Sequence, residues 1–293
     1  MVEPDAWWRG RSRCEQDQPF LNETEGASVT YQTESMIRPA VDQGWATAAR
    51  SWGFFSGIAF AVATVAYLVE AAGLTGTPPT YAATVAGQLQ DEATYWAAFF
   101  AYRHATLWDY VLRDGLFFFA FLGFIPLALA ANVATGGRRA AVQIGGAFIA
   151  VGAVFGALNA VTFFVDVSWW RGTGWEQMPP ALMAAVGRGT EMMDDLSAWS
   201  GIASNAALAI GLAYLGAASL TEPALSRRIG WVALATAALE VVIIAVGQIG
   251  GVDAVENLLS LITGAVFAPI IAIGLGRRLS TFLTERPPMA SQA

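Results

Sequence analysis

Lysine is absent from the 293 residues, cysteine occurs once (Cys14) and histidine once (His104), and each shortage removes a class of chemistry. A lone thiol excludes an intrachain disulfide and leaves the redox compartment undefined. A lone histidine excludes a bis-histidine haem, a His-rich zinc site and a two-histidine intramembrane metalloprotease within this chain. There is also no Gly-rich phosphate loop, nucleophile elbow or cysteine pair. No cofactor is expected, and a non-enzymatic reading is preferred. The formal net charge of -7 comes largely from the tail and outer loops, and it argues against nucleic acid as a partner, because that surface must be basic.

What the chain has instead is length of apolar sequence. Six runs (52–72, 115–134, 141–165, 197–218, 230–249 and 254–275) are each close to the ~20 residues a helix needs to cross roughly 30 Å of hydrocarbon. With lipid as outer solvent both faces of such helices can be apolar, so the 55% hydrophobic content reflects membrane exposure more than a large soluble core. The expected fold is all-α: a polytopic six-helix transmembrane bundle over 45–279, with the lipid bilayer as first partner.

All sixteen basic residues are arginine. In an alternating six-span layout Arg38, Arg50, Arg138, Arg139, Arg227, Arg228, Arg277, Arg278 and Arg286 share one side. Arg9, Arg11 and Arg13 in the tail bring that side to twelve, against four (Arg103, Arg113, Arg171, Arg188) on the other. Positive charge marks the cytoplasm, so both termini are expected to be cytoplasmic and the location to be a bacterial inner membrane. Residues 1–44 carry eight acids, few aliphatic residues and no apolar helical stripe, a composition that predicts a disordered tail. Met36, at the composition change, is an alternative start; residues 280–293 form a short cytoplasmic tail.

Two outer loops are long enough to carry structure. In the first, Tyr95, Trp96, Phe99, Phe100, Tyr102, Trp108 and Tyr110 recur at helical spacing beside Asp91, Glu92, Arg103 and Asp109, which predicts a helix in the interface, where aromatic rings favour the headgroup level. A lid over the bundle is the sharper alternative. The second loop ends in Glu191, Asp194 and Asp195, spaced to put three carboxylates on one helical face. Hard cations take oxygen ligands, but three acids without further donors form no recognised metal motif, so a charge-favourable position at the start of the fourth span is preferred. Asp253 and Glu256 suit a capping box at span six.

Within the spans Glu240 stands near the midplane of the fifth, where a carboxyl is costly unless paired or protonated and is by default a functional candidate. No Arg or His is expected inside any span to pair with it. Further polar groups gather in the outer halves: Tyr67 and Glu70 on span one, Asn159, Thr162 and Asp166 on span three, Ser197, Ser200, Ser204 and Asn205 on span four, then Gln248, Asn257 and Ser260. Facing inward, these would line a polar outward vestibule with Glu240 at its floor. The alternative is packing glue, in which such groups hydrogen-bond across helices at about 0.6 to 2 kcal/mol each. Gly53/Gly57, Gly152/Gly156 and Gly247/Gly251 at i, i+4 report close helix approach, inside the chain, in a homo-oligomer or against another membrane protein. Pro126 and Pro269 should kink their spans.

The six-span layout, with Gly211-Leu-Ala-Tyr-Leu-Gly216 through Ser219, Pro223 and Arg228-Ile-Gly230 into span five, resembles a bacterial membrane family catalogued as domain of unknown function 4386. That resemblance implies six helices and no catalytic residue or cofactor. The expected function is a small-solute or proton/cation-coupled permease-like protein with Glu240, Asp166, Asn159, Asn205 and Glu70 as candidate site residues. The alternative is a non-catalytic accessory or assembly subunit. An intramembrane acid–base enzyme using Glu240 or Asp166 lacks a specified second partner.

Overall fold

The computed structural model describes the backbone of residues 23–76, 79, 89–171, 177–247 and 253–285, with side chains over 41–76, 79, 91–162, 177–247, 255 and 258–285. Among the described residues there is no strand. The helices are α1 (Glu23–Ala71), α2 (Leu89–Ala105), α3 (Leu107–Leu122), α4 (Phe124–Ala134), α5 (Ala140–Arg171), α6 (Pro180–Ser219), α7 (Arg227–Gly247), α8 (Asp253–Leu261) and α9 (Ala268–Glu285), with a π-helical turn at Ile262–Phe267 before α9. Residues 1–40 and 41–293 are separate units. Of the tail, residues 1–22 lie outside the described residues, and from Glu23 the backbone is helical. At the other end α9 runs on to Glu285.

Six helical stretches are long and apolar enough to cross a membrane: Val41–Ala71, Leu107–Ala134, Ala140–Thr162, Pro180–Ser219, Arg227–Gly247 and Leu258–Glu285. Each overlaps one of the six apolar runs, and four reach further by eight residues or more: the first from Val41, the second from Leu107, the fourth from Pro180 and the sixth to Glu285. The second begins at Leu107, so Arg113 and Asp114 belong to the span rather than to an outer loop. The fourth begins at Pro180, and its 40 residues make a rod of about 60 Å, twice the hydrocarbon thickness. Glu191, Asp194 and Asp195 therefore sit inside α6, far from its first turn, where the helix dipole gives them nothing. The N-terminal stabilisation expected for them is overturned.

Both prolines mark departures from α-geometry. Pro126 has no N–H for the carbonyl of Leu122, and Leu122 is the last residue of α3, with Gly123 as the joint to α4. Pro269 follows the π-helical turn, where the Ala268 N–H bonds Thr263, five residues back.

Close helix approach is internal at Gly53, Gly57, Gly152 and Gly156, whereas Gly247 is exposed. A Cβ on Gly53 would lie 2.5 Å from the Ala272 carbonyl of α9, and one on Gly57 would strike Ile273. Gly152 faces Leu208 of α6 and Gly156 the Phe121 ring of α3. Gly216 and Gly230 each face the other's carbonyl at 2.9 Å across α6 and α7. Gly251 lies outside the described residues. The faces of Gly53, Gly57, Gly152 and Gly156 are occupied within the chain.

The two ends of the bundle differ. At one, Arg139 before α5 pairs with Glu222 before α7, and the Arg278 guanidinium of α9 donates to the Pro223 carbonyl. The arginine-bearing segments thus converge. At the other, α2 is the expected outer helix, and its rings turn inward: Trp96, Phe99 and Phe100 bury against Ala93 and Met183, with Gly187 of α6 making room for the indole. Arg188 of α6 donates to both Glu92 oxygens at 2.8 Å, and this hydrogen bond holds the Glu92 carboxyl below the usual carboxylate range against the opposing effect of burial. Trp108, 73% exposed, is the ring left for the headgroup level.

Candidate functional site

The bundle holds a partly open cavity of about 560 Å³, lined from all nine helices and the π-helical turn. Its middle wall is aromatic. Phe60 of α1 packs edge-on against Phe117, Phe121 and Phe124, at centroid distances of 6.0, 4.9 and 5.7 Å, and all four rings line the cavity. Short apolar side chains on α5, α6 and α7 bring those helices together, so the large rings of α1, α3 and α4 are left to fill the remaining space.

Glu240 of α7 opens onto this cavity while only 8% exposed. It makes no hydrogen bond or ion pair among the described residues. Thr236, one turn earlier on the same face, spends its hydroxyl on the Val232 carbonyl. The cost of burying such a carboxyl is the reason to regard Glu240 as kept for use.

At the α2 end the cavity is closed by an ion network. The Arg113 guanidinium donates through Nε and Nη2 to the Asp114 carboxylate, at 2.7 and 3.2 Å, and through Nη1 to Glu70 of α1. Tyr110 donates its hydroxyl to the same Glu70, and Arg103 of α2 stands 3.8 Å from it. The Tyr110 ring lies between the two guanidiniums, 4.0 Å from Arg103 and 4.5 Å from Arg113. Desolvation lowers the Arg103 pKa from its ordinary value, and the nearby Glu70 and Asp194 carboxylates oppose that shift. This pairing offsets much of the cost of burying the charges.

The expectation that no Arg stands inside a span is thus corrected at Arg113. A start counted from Gly115 excluded it, although Leu107, Tyr110, Val111 and Leu112 continue the apolar pattern upstream, and a self-pairing Arg-Asp dipeptide lowers the cost of including both charges. Arg113 nevertheless pairs with Asp114 and Glu70, so Glu240 has no counter-ion among the described residues.

The other expected site residues divide. Asn159 and Asn205 line the cavity with Glu240, and so do Ser197, Ser260 and Tyr67. Glu70 supports the cavity from behind through Arg113. The side chains of Asp166, Gln248 and Asn257 lie outside the described residues. Of the acidic run only Asp194 lines the cavity; Glu191 and Asp195 are exposed. Among the described residues no three His, Cys, Asp or Glu side chains are placed to hold a metal.

The serine stripe is largely spent on packing. Ser204 donates to the Gly152 carbonyl at 2.8 Å, Ser200 to Leu196 within its own helix, and Asn159 to the Ser197 carbonyl at 2.8 Å. Ser204 and Asn159 tie α5 to α6, as the packing alternative expected.

By its six long apolar helices the chain is a multi-pass α-helical membrane protein, with a cavity lined by Glu240 and Asp194, neither of which has a hydrogen-bond or ion-pair partner among the described residues. No family model, curated protein or solved structure matches it.

Proposed function

We propose that the protein is a permease-like carrier for a small solute, in which Glu240 is the carboxyl that exchanges a proton or cation as the cavity loads and empties. The observation that carries this reading is an unpartnered acid, more than nine-tenths buried, facing a cavity of solute size. Pro126, Pro269 and the π-helical turn beside the cavity supply helix discontinuities of the kind that gating motions use. A pH jump applied to vesicles carrying the purified protein should produce a transient charge displacement that Glu240→Gln abolishes. Displacement of equal size in the variant removes Glu240 from the coupling role.

In this reading the arginine-bearing end faces the cytoplasm of a bacterial inner membrane, both termini lie there, and the α2 end faces outward. In a Cys14→Ser background, cysteine replacing exposed Gly189 should react with an impermeant thiol reagent in intact cells, while cysteine replacing Ala140 should react only after permeabilisation. The reverse labelling pattern inverts the orientation.

A further inference from the structure

We infer that the solute taken by this cavity is a monovalent organic cation with an apolar, preferably aromatic, body. The inference deepens the carrier reading and rests on it.

The argument begins with which charges in the cavity are still available. An anionic solute would need a guanidinium, but Arg113 is engaged by Asp114 on two donors and by Glu70 on a third, while Arg103 lies against Glu70 and over two rings. Taking Arg113 for a ligand would strip the buried Asp114 carboxylate of its partner, a loss of several kcal/mol in similar buried pairs, and Arg103 already stands in the field of the Glu70 and Asp194 carboxylates, which repel an anion, so anion binding begins at a deficit. Glu240 carries no such obligation. Its carboxylate is buried, faces the cavity and has no partner among the described residues. The wider balance has the same sign, because Arg103 and Arg113 are outnumbered by Glu70, Asp114, Asp194 and Glu240.

The rest of the cavity selects what kind of cation. A small hydrated metal ion seeks several converging oxygen ligands, yet among the described residues no three His, Cys, Asp or Glu side chains are placed to hold one, and four phenylalanines line the same cavity. Phenylalanine faces attract a cation electrostatically and an apolar body by burial, and they do so more strongly away from water. The Glu240 carboxyl and the rings of Phe60, Phe117, Phe121 and Phe124, lining one cavity of about 560 Å³, are the arrangement that holds a quaternary or protonated amine or a phosphonium of drug-like size. Solute and proton then compete for the Glu240 carboxylate, which provides coupling.

The test is equilibrium dialysis of tetraphenylphosphonium against the purified full-length protein, with protein-free micelles as background. The expected result is saturable binding near one per chain. Glu240→Gln should weaken it at least about tenfold, Glu240→Asp should retain most of it, and Phe117→Ala should weaken it about threefold. The size-matched anion tetraphenylborate should show no saturable, protein-dependent binding. If Glu240→Gln does not fold, the comparison of cation with anion on the wild-type protein decides alone. No saturable tetraphenylphosphonium binding, equal binding by a folded Glu240→Gln variant, or equal binding of the anion each overturns the inference. Any of these alongside a Glu240-dependent charge displacement discards the solute class and keeps the carrier, whereas absence of that displacement discards the carrier itself.

Discussion

Replacing Arg113 with methionine should destabilise the protein by about 3–5 kcal/mol, the range measured when one partner of a buried ion pair is removed. The side chains of Arg113 and Asp114 are 7% and 6% exposed, so water does little to screen their interaction. Methionine fills much of the volume but leaves Asp114 beside Glu70 with no cation between them. Glu70 keeps Tyr110 and the more distant Arg103, so the damage centres on Asp114. Thermal unfolding of the detergent-solubilised protein reads the effect directly. The double variant Arg113→Met, Asp114→Leu should recover most of the loss, because replacing a whole buried pair by apolar groups is often neutral. A single variant that melts with the wild type would show that the network contributes nothing to the fold.

That network was the part of the site least legible in the sequence. Long apolar runs announce themselves because hydrocarbon thickness fixes their length, and all six stretches lie where the runs predicted. Pro126 and Pro269 likewise state their effect locally, through a missing N–H. Glu240 was legible because a single acid in an apolar run has no local explanation. Arg113 and Asp114 were hidden by the rule that ends a span at the first charge, which fails when adjacent opposite charges pair with each other and with a third group 43 residues away. The acidic run misled for a related reason. Nothing local distinguishes a loop leading into a span from a helix that simply continues beyond the bilayer, and Pro180 was the sole marker of where α6 begins.

The polar stripe shows the limit of face-sharing arguments. Asn159 and Ser197 were read as vestibule groups from their spacing, and both do border the cavity. Their hydrogen bonds, however, run between α5 and α6. Spacing predicts which residues share a face, while the partner across that face decides whether a hydroxyl is free for a ligand. The aromatic wall was invisible for the converse reason. Phe60, Phe117, Phe121 and Phe124 are ordinary residues of apolar spans, and they become a site only when three helices bring them around one carboxyl.

The largest packing effect is expected at Gly53, where α1 meets α9 backbone to backbone. A Cβ there would lie 2.5 Å from the Ala272 carbonyl oxygen and 2.9 Å from the Gly276 Cα, and a Cβ on Gly276 would lie 2.5 Å from the Ala49 carbonyl. The obstacles are main-chain atoms, so no rotamer change relieves the clash and the helices must part. Separation would loosen Ala49, Ala272, Leu275 and Leu279, all at most 2% exposed. Gly53→Ala should cost about 1–3 kcal/mol, the usual range for overpacking, and Gly53→Leu more than that. Gly44 is the internal control: it lies on the same helix with nothing within 4 Å of its Cβ position, so Gly44→Ala should be neutral or stabilising by up to about 1 kcal/mol through helix propensity. The measurement is the unfolding midpoint together with the monodisperse fraction after detergent extraction. If Gly53→Leu stays folded and monodisperse yet sheds a co-purifying membrane protein, the glycine face belongs to a partner rather than to α9. The accessory-subunit reading would then displace the carrier.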